Sequence, residues 1–494
     1  MKQSLTQILQ AGLDFLISQD QKKYRLAAGL WMGFLFLGGA FLLGHFLAWG
    51  SATIEFQDWA EVTGPRLTFL KDAIIHGVLP LQTAYPVIIG GTSTYQVMAI
   101  PDLLISPQLL LLPFLSIGQF YVFQVLFLFT LGFMGLLKLK SSQKYSILAF
   151  TIIFILFNFN GNILANLCVG HLTWGGYFLF PWLVLFVFEL LDGKTGWSWT
   201  LKMALLLFFI LLQGSYHQYV WALFLIGLLG LSFPRYFWLL LKTAILTVLL
   251  SLVRLLPEVT LLGVNAATNN FLGGYPDFQS VWNVLVTIQQ PGIRSSLGGL
   301  GNPLGLWEVT MYVGLIGAAF LIYFGFVHPL LNHGADHKYQ RMLLPVFGLL
   351  FLSLSPIYSQ LRDWLPLSIF IGERVITRLI SLVFVLVLFL AANEFQKWLN
   401  LERSSKFPLV VSLVLLAFGV VDLVQNYEIW TVARAVKAFG YSLFMPNKWY
   451  ISNNLSDFPY LNYVLWGAAG SIATFLFLVV MVWREKHPKK LMSA

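Results

Sequence analysis

Long apolar runs separated by short polar breaks make up most of the chain. A helix needs roughly 20 apolar residues to cross a bilayer. About twelve runs approach that length: 26–49, 119–138, 145–160, 172–190, 199–213, 217–233, 236–256, 307–327, 342–356, 376–396, 407–424 and 462–483. Ahead of them, Leu5, Ile8, Leu9, Leu13, Leu16 and Ile17 fall at helical spacing and predict an amphipathic helix over 4–18 on the membrane face. The longest departure from the pattern is Ser51 to Gln119. It carries Glu55, Asp58, Glu61, Arg66, Lys71, Asp72 and His76, and its apolar part, Leu103 to Phe114, is broken by Pro107 and Pro113. The expected fold is an all-α polytopic membrane protein with about 12 transmembrane helices and a long first external loop bearing juxtamembrane helices. The expected division is an interfacial segment (1–25), an N-terminal transmembrane module with loop 51–118 (26–260), and a C-terminal transmembrane module without a soluble domain (261–494).

Composition agrees with this pattern, and charge orients it. Hydrophobic residues make up 58% of the chain and charged residues 10%, with mean hydropathy +0.77; soluble domains carry about 25% charged residues. The single cysteine, Cys168, excludes an intrachain disulfide and a cysteine-based metal cluster. Charged residues from Asp14 to Arg25 precede a first run long enough to span, unlike a cleavable signal. With the N-terminus in the cytoplasm, 20 of the 30 Lys and Arg fall in short inside loops and 13 of the 21 acidic residues fall outside. That is the positive-inside asymmetry, and it puts the C-terminus inside too. The net charge of +9 is therefore a topology signal, and no nucleic-acid partner is expected. The long loops 51–118, 257–306, 357–375 and 425–461 all fall outside. The expected setting is the plasma (inner) membrane, with the site on the extracytoplasmic face.

Ionisable residues beside spans are costly to bury and mark function by default. The outer ends of several spans carry them: Asp58 and Glu61, His171 after the polar run Asn158 to Asn166, His217 in the hairpin Gln213 to Gln218, Arg254 and Glu258, then Glu373, Arg374 and Arg378. Each has a plainer role open to it. His171 serves equally as a helix-capping histidine, Glu55 and Glu61 as electrostatic support, and the arginines as interfacial anchors. Arginine is also the residue that grips phosphate with two parallel bonds. His328, His333 and His337 with Asp336 form no convincing ligand set. Nucleotide-binding loops and the paired histidines of zinc proteases are missing from the sequence.

These features resemble the GT-C superfamily of integral-membrane glycosyltransferases, through a poorly characterised bacterial and archaeal multi-span branch. The residues that carry the resemblance are Gln57-Asp58-Trp59, Gly77 to Leu81, Gly90-Gly91, Ser106-Pro107, Phe157 to Gly161, Gly170-His171, Phe180-Pro181-Trp182 and Glu373 to Arg378, best over 25–260. The resemblance implies sugar transfer from a polyprenyl-phosphate-linked donor to a glycan, lipid or protein acceptor. Asp58 is then the catalytic base, and Glu61, Arg66, His171, His217, Arg254, Arg374 and Arg378 are substrate-binding. A second acid of the family has Asp277 as its counterpart. The lack of a C-terminal soluble domain implies a single-sugar donor. No cofactor is assigned and a divalent cation is left open. The rival readings are a transporter or flippase of lipid-linked sugars, with ionisable groups near the midplane, and a non-catalytic scaffold of the same fold.

Overall fold

The computed structural model describes residues 11–19, 23–51, 56–89, 92–100, 103–265, 271–295, 304–331, 340–364, 373–401, 407–440, 449–452 and 455–487. All twelve apolar runs contain helix. Among the described residues, eight helical segments are long and apolar enough to cross a membrane, and a ninth forms if Tyr216–Ser232 and Pro234–Leu250, bent by 120°, count as one span. The difference from twelve has a geometric cause. Trp197–Leu212 and Leu343–Leu352 have 16 and 10 residues; at 1.5 Å per residue they reach about 24 and 15 Å, short of a hydrocarbon core of about 30 Å. The fold class is all-α and polytopic, apart from one small departure in the first loop and a two-residue pairing of Arg294–Ser295 with Leu304–Gly305. The departure is an antiparallel hairpin, β1 (Gln82–Ile89) and β2 (Thr92–Gln96), tied to the chain near Tyr450 by the Ala84 N–H to Tyr450 C=O bond.

Segments Ile147–Val169, Leu172–Leu191 and Ile376–Asn400 lie almost wholly inside the bundle, whereas Arg25–Phe46, Val410–Trp430 and Phe458–Lys486 wrap its outside. The polar run that breaks the first of these is a built joint. Asn160 caps the helix Gly161–Val169 by accepting from the Ile163 N–H, while its amide donates to the carbonyls of Leu156 and Phe157 that the preceding helix leaves open. A Cβ at Gly161 would stand 2.7 Å from Tyr312, so only glycine lets these segments touch.

The two ends of the bundle differ. At one end Tyr145 and Ser146 bond to Asn393 and Gln396, and Glu485 accepts from the Trp197 and Ser198 N–H groups at the start of a helix. The candidate site occupies the other end.

Candidate functional site

The helix Gly161–Val169 ends at Gly170, whose φ of +94° turns the chain out of the bundle. Three side chains reach its last carbonyls. Tyr121 donates to Leu167, Trp59 Nε1 to Cys168, and Thr63 Oγ1 to Gly170. Trp59 and Thr63 bound a single π-helical turn, Trp59–Thr63, so this docking fixes where Asp58 stands. A Cβ at Gly170 would be 2.7 Å from the Trp59 backbone and ring. Gln57, just before Asp58, has φ +48°; a non-glycine residue held there costs on the order of 1 kcal/mol, and such strain gathers at functional sites.

Asp58 Oδ2 lies 2.6 Å from His171 Nε2. The other ring nitrogen of His171, Nδ1, lies 2.7 Å from Asn166 Oδ1. Asn166 is itself oriented, since its amide donates to the carbonyls of Asn162 and Trp307. Its oxygen therefore accepts, and His171 Nδ1 carries a proton. Burial pushes the Asp58 carboxyl up, but His171, with Arg378 and Arg66, outweighs it and holds Asp58 below the ordinary carboxylate range. Asp58 is thus an ionised carboxylate at neutral pH, and its side chain remains 37% exposed to a reacting group.

A second chain runs alongside. Arg378 forms two parallel 2.5 Å bonds with Glu308, and its Nη1 donates to His217 Nε2 at 3.2 Å. Guanidinium only donates, so Nε2 accepts, and the Nδ1–H is given to Glu373 at 2.8 Å. Trp221 also donates to Glu373. Glu308 precedes the helix that begins at Gly314; burial raises its carboxyl, and Arg378 more than offsets that and lowers it.

Asp58, Arg66, His171, His217, Arg374 and Arg378 line one cavity of about 300 Å³ with Trp174, Ser215 and Gln218. Sites for small ligands begin at about this size. Two residues grouped with them in the sequence lie elsewhere. Arg254 is buried and donates to the Ile100 carbonyl, because the helix Leu252–Asn265 packs against the last helix and not against the cavity. Glu61 is exposed and does not line the cavity, since it sits on the π-turn away from Asp58. Asp277 is exposed and caps the helix Phe278–Val286 through the Ser280 N–H. The phosphate role expected of Arg378 meets a further correction, because Glu308 already occupies its fork. Arg66 and Arg374 remain as cavity-lining guanidiniums, with Arg66 also over the Trp449 ring at 5.6 Å. Glu55, Gly90, Gly91, His333, Asp336 and His337 lie outside the described residues.

Sequence reasoning missed Glu308 and gave no role to Trp174 or Gln218. Glu308 was hidden inside an apolar run read as the start of a span; the usable signal was a lone carboxylate there, which needs a cation. Among the described residues no three His, Cys, Asp or Glu side chains converge as a metal site. Asp58, Glu308 and Glu373 are engaged by His171, Arg378 and His217, so they do not make a ligand set for a divalent cation. No family model, curated protein or solved structure matches the chain.

Proposed function

We propose that the protein is a membrane glycosyltransferase that moves a single sugar from a polyprenyl-phosphate donor to a hydroxyl acceptor. The observation that carries this reading is an ionised, partly open carboxylate, Asp58, in one small cavity with Arg66 and Arg374. The acceptor O–H gives its proton to Asp58, and its oxygen forms the bond to the sugar's anomeric carbon. The bond from that carbon to the phosphate oxygen breaks, and its electron pair leaves with the polyprenyl phosphate. Arg66 and Arg374 meet the negative charge as it grows. One displacement of this kind inverts the anomeric centre. The segment Pro107–Phe114 supports lipid access: Gln108 fixes it to Gln213, next to cavity residues Gly214 and Ser215, while Leu110, Leu111 and Phe114 are exposed. The ionisable groups sit at one end of the bundle, which favours an enzyme over a midplane transporter. The charge asymmetry of the sequence supports an extracytoplasmic position for that end.

The test uses purified protein in nanodiscs with radiolabelled prenyl-phosphate sugars, with binding and turnover measured separately. Asp58→Asn is expected to keep donor binding and lose about 10²- to 10⁴-fold in turnover, the usual contribution of a general base. Arg374→Ala is expected to weaken donor binding, since a charge-assisted phosphate contact is lost. Wild-type turnover by Asp58→Asn removes Asp58 as the base. Passage of a solute across vesicles, without binding of any such donor, replaces the enzyme with a transporter.

A further inference from the structure

A second recess lies among the membrane-spanning segments, apart from the Asp58 cavity. It is a groove of about 270 Å³ between Ile147–Val169, Gly314–Leu331, Ile376–Asn400 and Val410–Trp430. Its lining includes Leu156, Phe324, Phe395, Trp398, Leu415 and Gly419, and the side chains of Tyr323, Trp398 and Ser412 are the sole polar ones in it. One wall starts at a π-helical turn, Tyr323–Val327. Such turns are wider than the α-helix and often mark functional sites.

Water does not fill a recess of this kind. Protein interiors pack as densely as organic crystals, and an apolar void of about 150 Å³ already stays dry and takes up apolar molecules. What covers the groove follows from where it opens. Leu415 and Tyr323, both in the lining, are 41% and 46% exposed, and Val414, Phe418 and Val421 are exposed on the same span as Leu415. The outward face of a spanning helix meets lipid tails, which are as apolar as leucine.

The dimensions select a single chain. From Val411 to Leu423 the lining follows one helix for about 18 Å at 1.5 Å per residue, just over half of a hydrocarbon core of about 30 Å. Over that length 270 Å³ leaves a section of about 15 Å², whereas a helix with its side chains is about 10 Å across. The groove is too narrow for a helix of a partner or of a second copy. The Val411 end is also the polar one. Trp398 lines it, Lys397 bonds to Glu394, and the rings of Tyr323 and Phe324 lie 6.0 and 5.7 Å from His328, which bonds to Glu394 as well. Asp422, near the other end, is outside the lining and lies against Gly314. The charge asymmetry of the sequence supports the cytoplasmic side for the Trp398 end.

We infer that this groove holds one acyl chain of a phospholipid from the cytoplasmic leaflet, with the headgroup at the Trp398 end. The chain packs between Ile147–Val169 and Ile376–Asn400, the segments that carry the Asn160 joint and Arg378. The claim does not depend on sugar transfer.

The experiment reconstitutes the full chain with phosphatidylethanolamine, phosphatidylglycerol and bare prenyl phosphate, washes it in detergent and weighs it by native mass spectrometry. Wild type is expected to keep one phospholipid through washing that strips the rest. Gly419→Leu adds a side chain in the groove, where a Cβ meets only Ile316, at 3.8 Å. It is expected to keep less than about one tenth as much lipid, because the new side chain takes the space. Val421→Leu, exposed on the same helix but outside the lining, is expected to keep the lipid. Ala319→Leu fills the groove from the facing helix and serves if Gly419→Leu does not fold. Washed wild type is further expected to regain thermal stability when phospholipid is returned, and the filled variant to be indifferent to it. A wild type that keeps no lipid, or a filled variant that keeps as much as wild type, overturns the inference. So does retention of the prenyl phosphate in place of phospholipid, or a doubled mass that Gly419→Leu returns to the monomer, which assigns the groove to a second copy.

Discussion

Glu308→Gln isolates the buried pair that supports the cavity. The change keeps the shape of the side chain and one acceptor oxygen, and removes the charge. Two charge-assisted bonds of 2.5 Å to Arg378 are affected, each on the order of 1.5–3 kcal/mol. Removing one partner of a buried ion pair costs about 3–5 kcal/mol, because the other charge is left uncompensated. Glu373 and Asp58 also attract Arg378, and the remaining amide oxygen keeps one bond, so the expected loss lies at the lower end, about 3 kcal/mol. The double change Glu308→Leu with Arg378→Met is expected to recover most of it, since a well-packed apolar pair replaces an ion pair at little cost. The assay is unfolding in mixed detergent–SDS micelles followed by tryptophan fluorescence, on wild type, Glu308→Gln, the singles Glu308→Leu and Arg378→Met, and the double. A Glu308→Gln variant within about 0.5 kcal/mol of wild type, below the usual effect of a buried polar change, refutes the reasoning. So does a double variant as unstable as the two single losses added together.

Glu258 gives a pH test. Burial pushes its carboxyl up to about 8, with Arg254 offsetting part of the rise. Between about pH 4.3 and that value the folded protein holds a proton that the unfolded chain has released. Stability therefore falls as pH rises through this window, by up to about tenfold in the folded-to-unfolded ratio per unit, and levels off above it. Glu258→Gln is expected to flatten the profile, and an unchanged slope in the variant refutes the assignment. Gly170→Ala places a methyl against Trp59 at a φ of +94°, with an expected loss of about 1–3 kcal/mol. Because Trp59 adjoins Asp58, the proposed transfer activity should fall with it; a melting temperature equal to wild type counts against the docking described.

Much of the fold and part of the cavity were legible in the sequence, for different reasons. Apolar length marks a span directly, so every run contained helix. It does not report where a helix is interrupted, and proline- or glycine-flanked runs such as 199–213 and 342–356 became helices too short to pass as spans. Asp58, Arg66, His171, His217, Arg374 and Arg378 were gathered from the pattern because polar breaks on one side of a bundle share one end of it. The sequence carries no record of which charge takes which partner. Arg254 and Arg378 looked alike beside their spans, but one donates to a backbone carbonyl away from the cavity and the other is forked by Glu308. The hairpin β1–β2 was hidden because Pro86 interrupts its first strand and makes the run read as loop. The cavity draws on both sides of residue 260, since Arg374 and Arg378 line it and Glu308 and Glu373 support it from beyond that point.

That the cavity is drawn from distant parts of the chain has a consequence for biosynthesis. His217 meets Glu373 and Arg378 across 156 and 161 residues of chain. A ribosome feeding helices into the bilayer in order thus delivers Asp58, His171 and His217 long before Glu308, Glu373 and Arg378. Until the segment at Ile376–Asn400 enters, an inserted chain has the residues of the Asp58–His171 pair but lacks Arg378, the partner of Glu308 and His217. Completion of the cavity is then coupled to completion of the chain.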